Sequence, residues 1–273
     1  MDNKEIQTII ESAWQDKSLL NNINTQKAIR QTIDLLDKGK IRVAEPVNNT
    51  WKINEWIKKA VILYFPIQKM ETTKVGDFEF YDKISLKNNY KELGVRVVPH
   101  AVARYGSYLA KGVIMMPSYI NIGAYVDAGT MIDNWVLVGS CAQIGKNVHL
   151  SMNVGIGGVL EPIQAAPVII EDNCFIGAGC SIVEGVRVEK EAVLGANVVI
   201  TKSSKIIDVT GDKPKEFKGI VPSRSVVIPG TRTKKFPAGD YQVPCALIIG
   251  KRKKSTDLKT SLNNALRDYN VNV

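Results

Sequence analysis

The sequence predicts a β-solenoid: a parallel β-helix of hexapeptide repeats between a mainly α-helical N-terminal domain and a small C-terminal cap. Three observations carry this expectation. From about residue 95 a large apolar residue stands at every sixth position, at Val102, Tyr108, Ile114, Ile120, Val126, Ile132, Val138, Ile144, Leu150 and Ile156. Four positions after each comes a mostly small or β-branched residue, such as Gly106, Ala124, Thr130, Ala142 and Val154, with Leu160 as the last. The beat breaks at residues 161–169, then resumes at Ile170, Ile176, Ile182, Val188, Leu194, Ile200 and Ile206, with Val221 and Val227 as two further steps. Six is neither the helical period nor a heptad, and such a repeat held over about 100 residues marks a β-helix.

The geometry explains the pattern. Each hexapeptide supplies one short strand and one tight corner, and three of them close a triangular coil of about 18 residues that stacks on the next at ~4.8 Å. The large apolar residue points inward, contributing ~1.5–3 kcal/mol on burial. The small residue fits the corner, and the position after the apolar one is repeatedly Asn, Asp or Gly, as at Asn121, Asp127, Asp133, Gly139, Gly145 and Gly157. Both ends of such a coil expose unpaired strands, so caps are required. The expected division is 1–95 helical, 96–230 coil with a loop at 161–169, and 231–273 cap.

In chain order, Ile6, Ile9, Ile10 and Ala13, then Ala28, Ile29, Ile33 and Leu36, recur at helical spacing and predict two amphipathic helices. Residues 41–44 read as a short strand and 51–65 as a further helix stopped by Pro66. Residues 70–95 read as polar and irregular, with turns at Gly76 and Gly94. In the cap, a strand is expected over 245–249 and a helix around 258–266.

Composition narrows the function. The 45% hydrophobic and 23% charged content of the 273 residues is that of a globular chain. No stretch approaches the ~20 apolar residues of a membrane span, and Asp2, Lys4 and Glu5 interrupt any signal core, which together predict a soluble cytoplasmic protein. Cys141, Cys174, Cys180 and Cys245 form no CxxC pair and are expected as reduced packing residues. With only His100 and His149, no metal site is expected. The net charge of +9 is spread over scattered lysines without interleaved aromatics, which argues against nucleic acid.

The strings RVVPHAVARYGSYL, MPSYINIGAYVDAGTMIDNWVLVGSCAQIGKNVHLS and NVGIGGVLEPIQAAPVIIEDNCFIGA, with RVAEP and WIKKAVILYF before them, resemble the tetrahydrodipicolinate N-succinyltransferases, within the hexapeptide-repeat acyltransferases. The resemblance spans nearly the whole chain. It implies a left-handed coil, where the default for parallel strands would be right-handed. It also implies a homotrimer with sites between subunits, with succinyl-CoA as co-substrate and no permanently bound cofactor. The implied reaction is succinyl transfer to the amine of hydrated tetrahydrodipicolinate, within lysine and diaminopimelate biosynthesis. Another CoA-dependent hexapeptide acyltransferase and a non-catalytic β-helix scaffold are the alternatives.

Period 18 lets outward residues be assigned to faces. Asp133 is expected beside Met115 and Ser151, and His149 beside Met131, so the two lie about 8 Å apart in one groove. The resemblance makes Asp133 the substrate-binding residue and general base; an ordinary corner role, as for Asp127, is the alternative. His149 is the rival base. Arg96 matches the family's other substrate-binding position, where a guanidinium fork suits a dicarboxylate; a structural ion pair is its alternative. Gly157 and Gly158 are candidates to lie against the pantetheine arm of CoA, or simply corner glycines. The loop 161–169 is a candidate lid over a neighbouring subunit's site. Lys234, Lys235, Lys251, Arg252, Lys253 and Lys254 are candidate phosphate contacts. Where the family reads Arg-Ser-Glu, this chain has Gly179, Cys180 and Ser181, so the glutamate near the amino substrate is missing.

Overall fold

The computed structural model describes residues 1–48 and 50–253. Its N-terminal part is helical because the sequence caps and patterns it so. The Asp2 carboxylate accepts the Lys4 and Glu5 N–H groups at 2.9 Å and starts α1 (Asn3–Gln15). Asn22 does the same for α2 (Ile23–Asp37). Ile6, Ile10, Ala13, Ala28, Ile29, Ile33 and Leu36 are buried in one core with α3 (Glu55–Tyr64), while Ile9 packs at its margin.

Two N-terminal expectations change. The strand begins only at Ala44 and forms a hairpin, Ala44–Val47 against Thr50–Ile53, which takes Trp51 out of the helix. The helix starts at Glu55 because Asn54 turns the chain, its N–H donating to Val43 O (2.8 Å) and its amide to Arg42 O (2.9 Å). The stretch read as irregular holds a second hairpin, Glu71–Val75 with Phe78–Asp82 around Gly76, and then α4 (Tyr90–Leu93), ended by Gly94 at φ 66°. Both hairpin strands are exposed, and the alternating Phe78 and Phe80 of the second one are exposed too.

From Arg96 onward the chain visits three sheets in rotation, each short strand pairing in parallel with the strand one coil earlier. The first face runs Arg96–Val97, Ile114–Met115, Met131–Ile132, His149–Leu150, Phe175–Ile176 and Val193–Leu194, and ends on Ser225–Phe236. From Ile120 to Val227 every apolar residue of the predicted series is fully buried in a single core. Most corners close because the third residue after the inward one adopts positive φ, at Gly129, Asn147, Asn153, Asn173 and Asn197 among others.

The phase of the first coil is corrected. Val102, Tyr108 and Ile114 are only half-buried, and Ala103, Leu109 and Met115 point inward instead. Between Met115 and Ile120 the step is one residue short, at the corner that contains Pro117. Ile114 therefore pairs with Met131, a register of seventeen, whereas Met131 pairs with His149 at eighteen. A residue-by-residue count cannot see this slip, because both neighbours at each affected position are apolar or small. Likewise Val159, not Leu160, fills its corner; Leu160 packs on the helical core.

At the far end the strand Ser225–Phe236 continues through residue 230 into a long hairpin with Gly239–Lys251, which contains the expected 245–249 strand. Ile206–Asp208 pairs with Ala246, Leu247 and Ile248 of that strand, and Ala246 and Ile248 join the prism core, covering its end. Tyr90, Leu93 and Val95 cover the other end. The helix expected around 258–266 lies outside the described residues. Among the described residues no helix is long and apolar enough to cross a membrane.

Ile122 and Cys141 on the prism belong to the helical core, which fixes the two parts together. The fully buried Lys58 of α3 adds a clamp, its Nζ donating to Pro162 O (3.0 Å) and Ala165 O (2.9 Å). The loop 161–169 is thus tied to its own N-terminal helices, which opposes its use as a freely closing lid.

Candidate active site

Asp133 follows the first-face strand Met131–Ile132, and the alternation of strand side chains turns it outward after the buried Ile132. It is half-buried. Its Oδ1 accepts the Asn134 N–H at 2.8 Å, the contact that Asp127 Oδ1 makes with Ala128 N–H and Asn121 Oδ1 with Ile122 N–H. That corner role is therefore present, and it occupies one carboxylate oxygen. The shortened first coil sets Asp133 beside Met116 rather than Met115, with Ser151 on the other side as expected.

His149 pairs with Met131 on the adjacent rung, and its ring stacks on Phe175 at 4.8 Å and 21°. Burial pushes its imidazole below the ordinary 6.5, and the Asp133 carboxylate opposes part of that shift. Asp133 and His149 thus share an electrostatic neighbourhood. The neutral ring is favoured in the folded chain, so the unfolded chain binds the proton first as pH falls. His149 therefore reduces stability as pH drops below about 6.5. In an NMR titration its midpoint is expected below 6.5, and Asp133→Asn is expected to lower it further; a midpoint unmoved by that change would separate the two residues.

Arg96 lies on the first strand of the same face, in the outward column that continues through Ile114, Met131, His149 and Phe175. It is exposed and has no ion-pair partner among the described residues. Two rungs and two residues separate it from Asp133, about 12 Å along the surface. A dicarboxylate amine reaching from one to the other would lie along this face.

The remaining candidates divide. Gly157 already donates its N–H to Ile182 O (2.8 Å), so it has none left for a ligand amide. Gly158 and Gly139 are backbone neighbours on successive coils: a Cβ on Gly139 would stand 2.2 Å from Gly158 N. Packing alone thus demands these glycines. Lys251 is held by Ser223 O and Ser225 Oγ, and Arg252 by Asn173 O, so both anchor the base of the long hairpin. Lys234 and Lys235 lie near its exposed tip, and Lys254 lies outside the described residues. Ser181 sits on the second face beside Gly155 and Val199, away from Asp133.

Cys174 and Cys180 fill corners and donate to Glu189 O and Gly195 O; burial raises their thiols to about 12 and 11, which leaves them unreactive. The sequence reading missed Trp135, which is 71% exposed two residues beyond Asp133, at φ 61°. Leu137 and Met152 are exposed near it. Their signal lay in the sequence as large apolar residues at outward positions of the repeat.

A three-faced coil of six-residue steps bearing outward polar residues is the architecture of a hexapeptide-repeat protein, and residues 167–202 match the hexapeptide repeat of succinyl-transferase. Residues 5–67 match the N-terminal domain of tetrahydrodipicolinate N-succinyltransferase. A 2,3,4,5-tetrahydropyridine-2,6-dicarboxylate N-succinyltransferase of Variovorax paradoxus is 50% identical, over 97% of this chain and 99% of its own. Proteins of the same name from Bordetella pertussis (51%) and Acinetobacter baylyi (50%) each align over 96% of this chain and 98% of their own. The chain belongs to the tetrahydrodipicolinate N-succinyltransferase family.

Proposed function

We propose that this protein is a CoA-dependent N-acyltransferase that moves succinyl from succinyl-CoA to the amine of hydrated, ring-opened tetrahydrodipicolinate, releasing N-succinyl-2-amino-6-oxopimelate and CoA. The observation that carries this reading is near-full-length identity of about 50% to succinyltransferases of that name, on a chain with an outward carboxylate on the prism. The reaction belongs to lysine and diaminopimelate biosynthesis, and a cytoplasmic location fits it. Succinyl-CoA is a co-substrate, and no permanently bound cofactor is needed.

In this reading the coil is left-handed, the functional unit is a homotrimer with sites between subunits, and the chain divides as 1–95, 96–230 and 231–273. Asp133 binds the amine and takes its proton as nitrogen attacks the thioester carbonyl; the nitrogen–carbonyl bond forms, the carbon–sulfur bond breaks, and the proton held by Asp133 passes to the departing thiolate, so CoA leaves as the thiol and the carboxylate is restored. The second carboxylate oxygen, not engaged by Asn134, is the one suited to that proton. Arg96 pairs with a substrate carboxylate. Of the two glycines, only Gly158 has an N–H without a backbone acceptor among the described residues, so it is the one suited to the pantetheine arm.

Thiol release with succinyl-CoA and tetrahydrodipicolinate tests the reading: rapid release with succinyl-CoA and little with acetyl-CoA supports it, and the reverse preference assigns another acyl donor. Arg96→Ala is expected to raise the apparent KM for the dicarboxylate about 10-fold or more, the loss of a charge-assisted bidentate pair, with kcat little changed. An unchanged KM would make Arg96 a structural residue.

A further inference from the structure

Between the Ala44–Val47/Thr50–Ile53 hairpin and the third face of the prism lies a cavity of about 560 Å³. It is on a different edge from Asp133: Asp127, on its wall, follows the third-face strand Tyr125–Val126. Arg42 lines it in a single enforced orientation. The guanidinium stacks on the Tyr125 ring at 3.6 Å, with the Trp51 ring at 5.5 Å, and Nε donates to Gln143 Oε1 at 3.1 Å. Gln143 is fully buried and donates its amide to Cys141 O and Ala142 O, so its oxygen can only face Arg42.

This oriented cation has no carboxylate within ion-pair distance among the described residues, and its two terminal nitrogens have no protein acceptor there. Burial pushes its proton affinity down, and the stacked Tyr125 together with the carboxylates of Asp127, Glu45 and Asp172, none of them in an ion pair with it, offset part of this. A half-buried guanidinium whose direct contacts are two rings and an amide oxygen keeps its terminal nitrogens for an anion, which they would meet with charge-assisted hydrogen bonds. Arg187, on the same cavity, differs: it is paired with Glu171 at 2.7 Å, and Glu171 also accepts the Trp51 indole N–H at 2.9 Å. Asp127 and Asp172 line the same cavity. Each spends one oxygen on a backbone N–H, of Ala128 and Lys146, and leaves the other without a protein donor among the described residues.

A fork for a carboxylate and two half-used carboxylates for an ammonium, around a volume suited to a small molecule, are the complement of a zwitterion. We propose that this cavity is a second small-molecule site, separate from the acyl-transfer site, that takes a free α-amino acid with its carboxylate on Arg42 and its ammonium beside Asp127 and Asp172.

The test follows the Trp51 indole N–H signal by NMR in the full chain, assigned through Trp51→Phe. L-alanine, L-glutamate and L-lysine are titrated separately, with acetate, methylamine and inorganic phosphate as comparison probes. A saturable shift with at least one amino acid, weakened tenfold or more by Arg42→Lys and by Asp172→Asn but unchanged by Asp133→Asn, supports the proposal. Both cavity variants keep the local charge or hydrogen bond that the fold uses. No saturable shift with any amino acid overturns the proposal, as does an equal response to acetate or phosphate. Loss of the shift in Asp133→Asn would assign the binding to the acyl-transfer site instead.

Discussion

Asp133→Asn is expected to lower turnover by roughly 10²–10⁴-fold while leaving succinyl-CoA affinity within about twofold, because it removes a proton acceptor without touching the donor. The substitution is close to silent for the fold. Asparagine retains the Oδ1 that receives the Asn134 N–H at 2.8 Å, so the corner stays closed and a change in activity reports chemistry. Steady-state kinetics with both substrates varied, alongside a thermal melt, make the measurement. Wild-type turnover in the variant would confine Asp133 to its corner role and pass the question to His149, whose ring lies in the same electrostatic neighbourhood.

Gly139→Ala is expected to destabilise the protein by roughly 3 kcal/mol, or to prevent folding altogether. The new Cβ would lie 2.2 Å from Gly158 N, 2.6 Å from Gly158 Cα and 2.7 Å from the Gly157 carbonyl carbon. These are backbone atoms of the next coil and cannot rotate away. The coils cannot separate either, because Gly139 N–H donates to Ile156 O at 2.8 Å and Leu137 N–H to Val154 O at 3.0 Å. Relief would require breaking the ladder that defines the face. Urea denaturation of the variant checks this; a midpoint within error of the parent would show that the coil spacing yields more easily than its hydrogen bonds imply.

The same contact bears on how Gly157 and Gly158 are understood. As sequence, a run of glycines near a presumed acyl-donor site suggests close approach of a ligand to the backbone. As structure, the close approach is between neighbouring coils, and Gly157 has already given its N–H to Ile182. Periodicity assigns a residue to a corner, but not what presses on that corner. The lysines behave similarly: spacing marks Lys251 as one cation among several, whereas its two bonds to Ser223 and Ser225 make it part of the hairpin's foundation.

The sequence by itself determined the three-sided coil. An aliphatic side chain every sixth position can be buried by no regular element other than a short strand that turns a corner each time, and each repeat settles its own conformation. It determined the first two helices, within the first forty residues, for the same local reason, the caps and the apolar stripe lying within one segment. Tertiary structure alone decided the one-residue slip at Pro117, since inward and outward neighbours there are equally apolar and only the next coil selects between them. It alone tied the loop at 161–169 to Lys58, and it alone assembled Arg42, Trp51, Tyr125 and Gln143 around one cavity. The contacts of Lys58 with Pro162 and Ala165, and of Arg42 with Gln143, join residues about a hundred positions apart, where no local pattern constrains the chain and only the packing of helices against the prism brings the groups together.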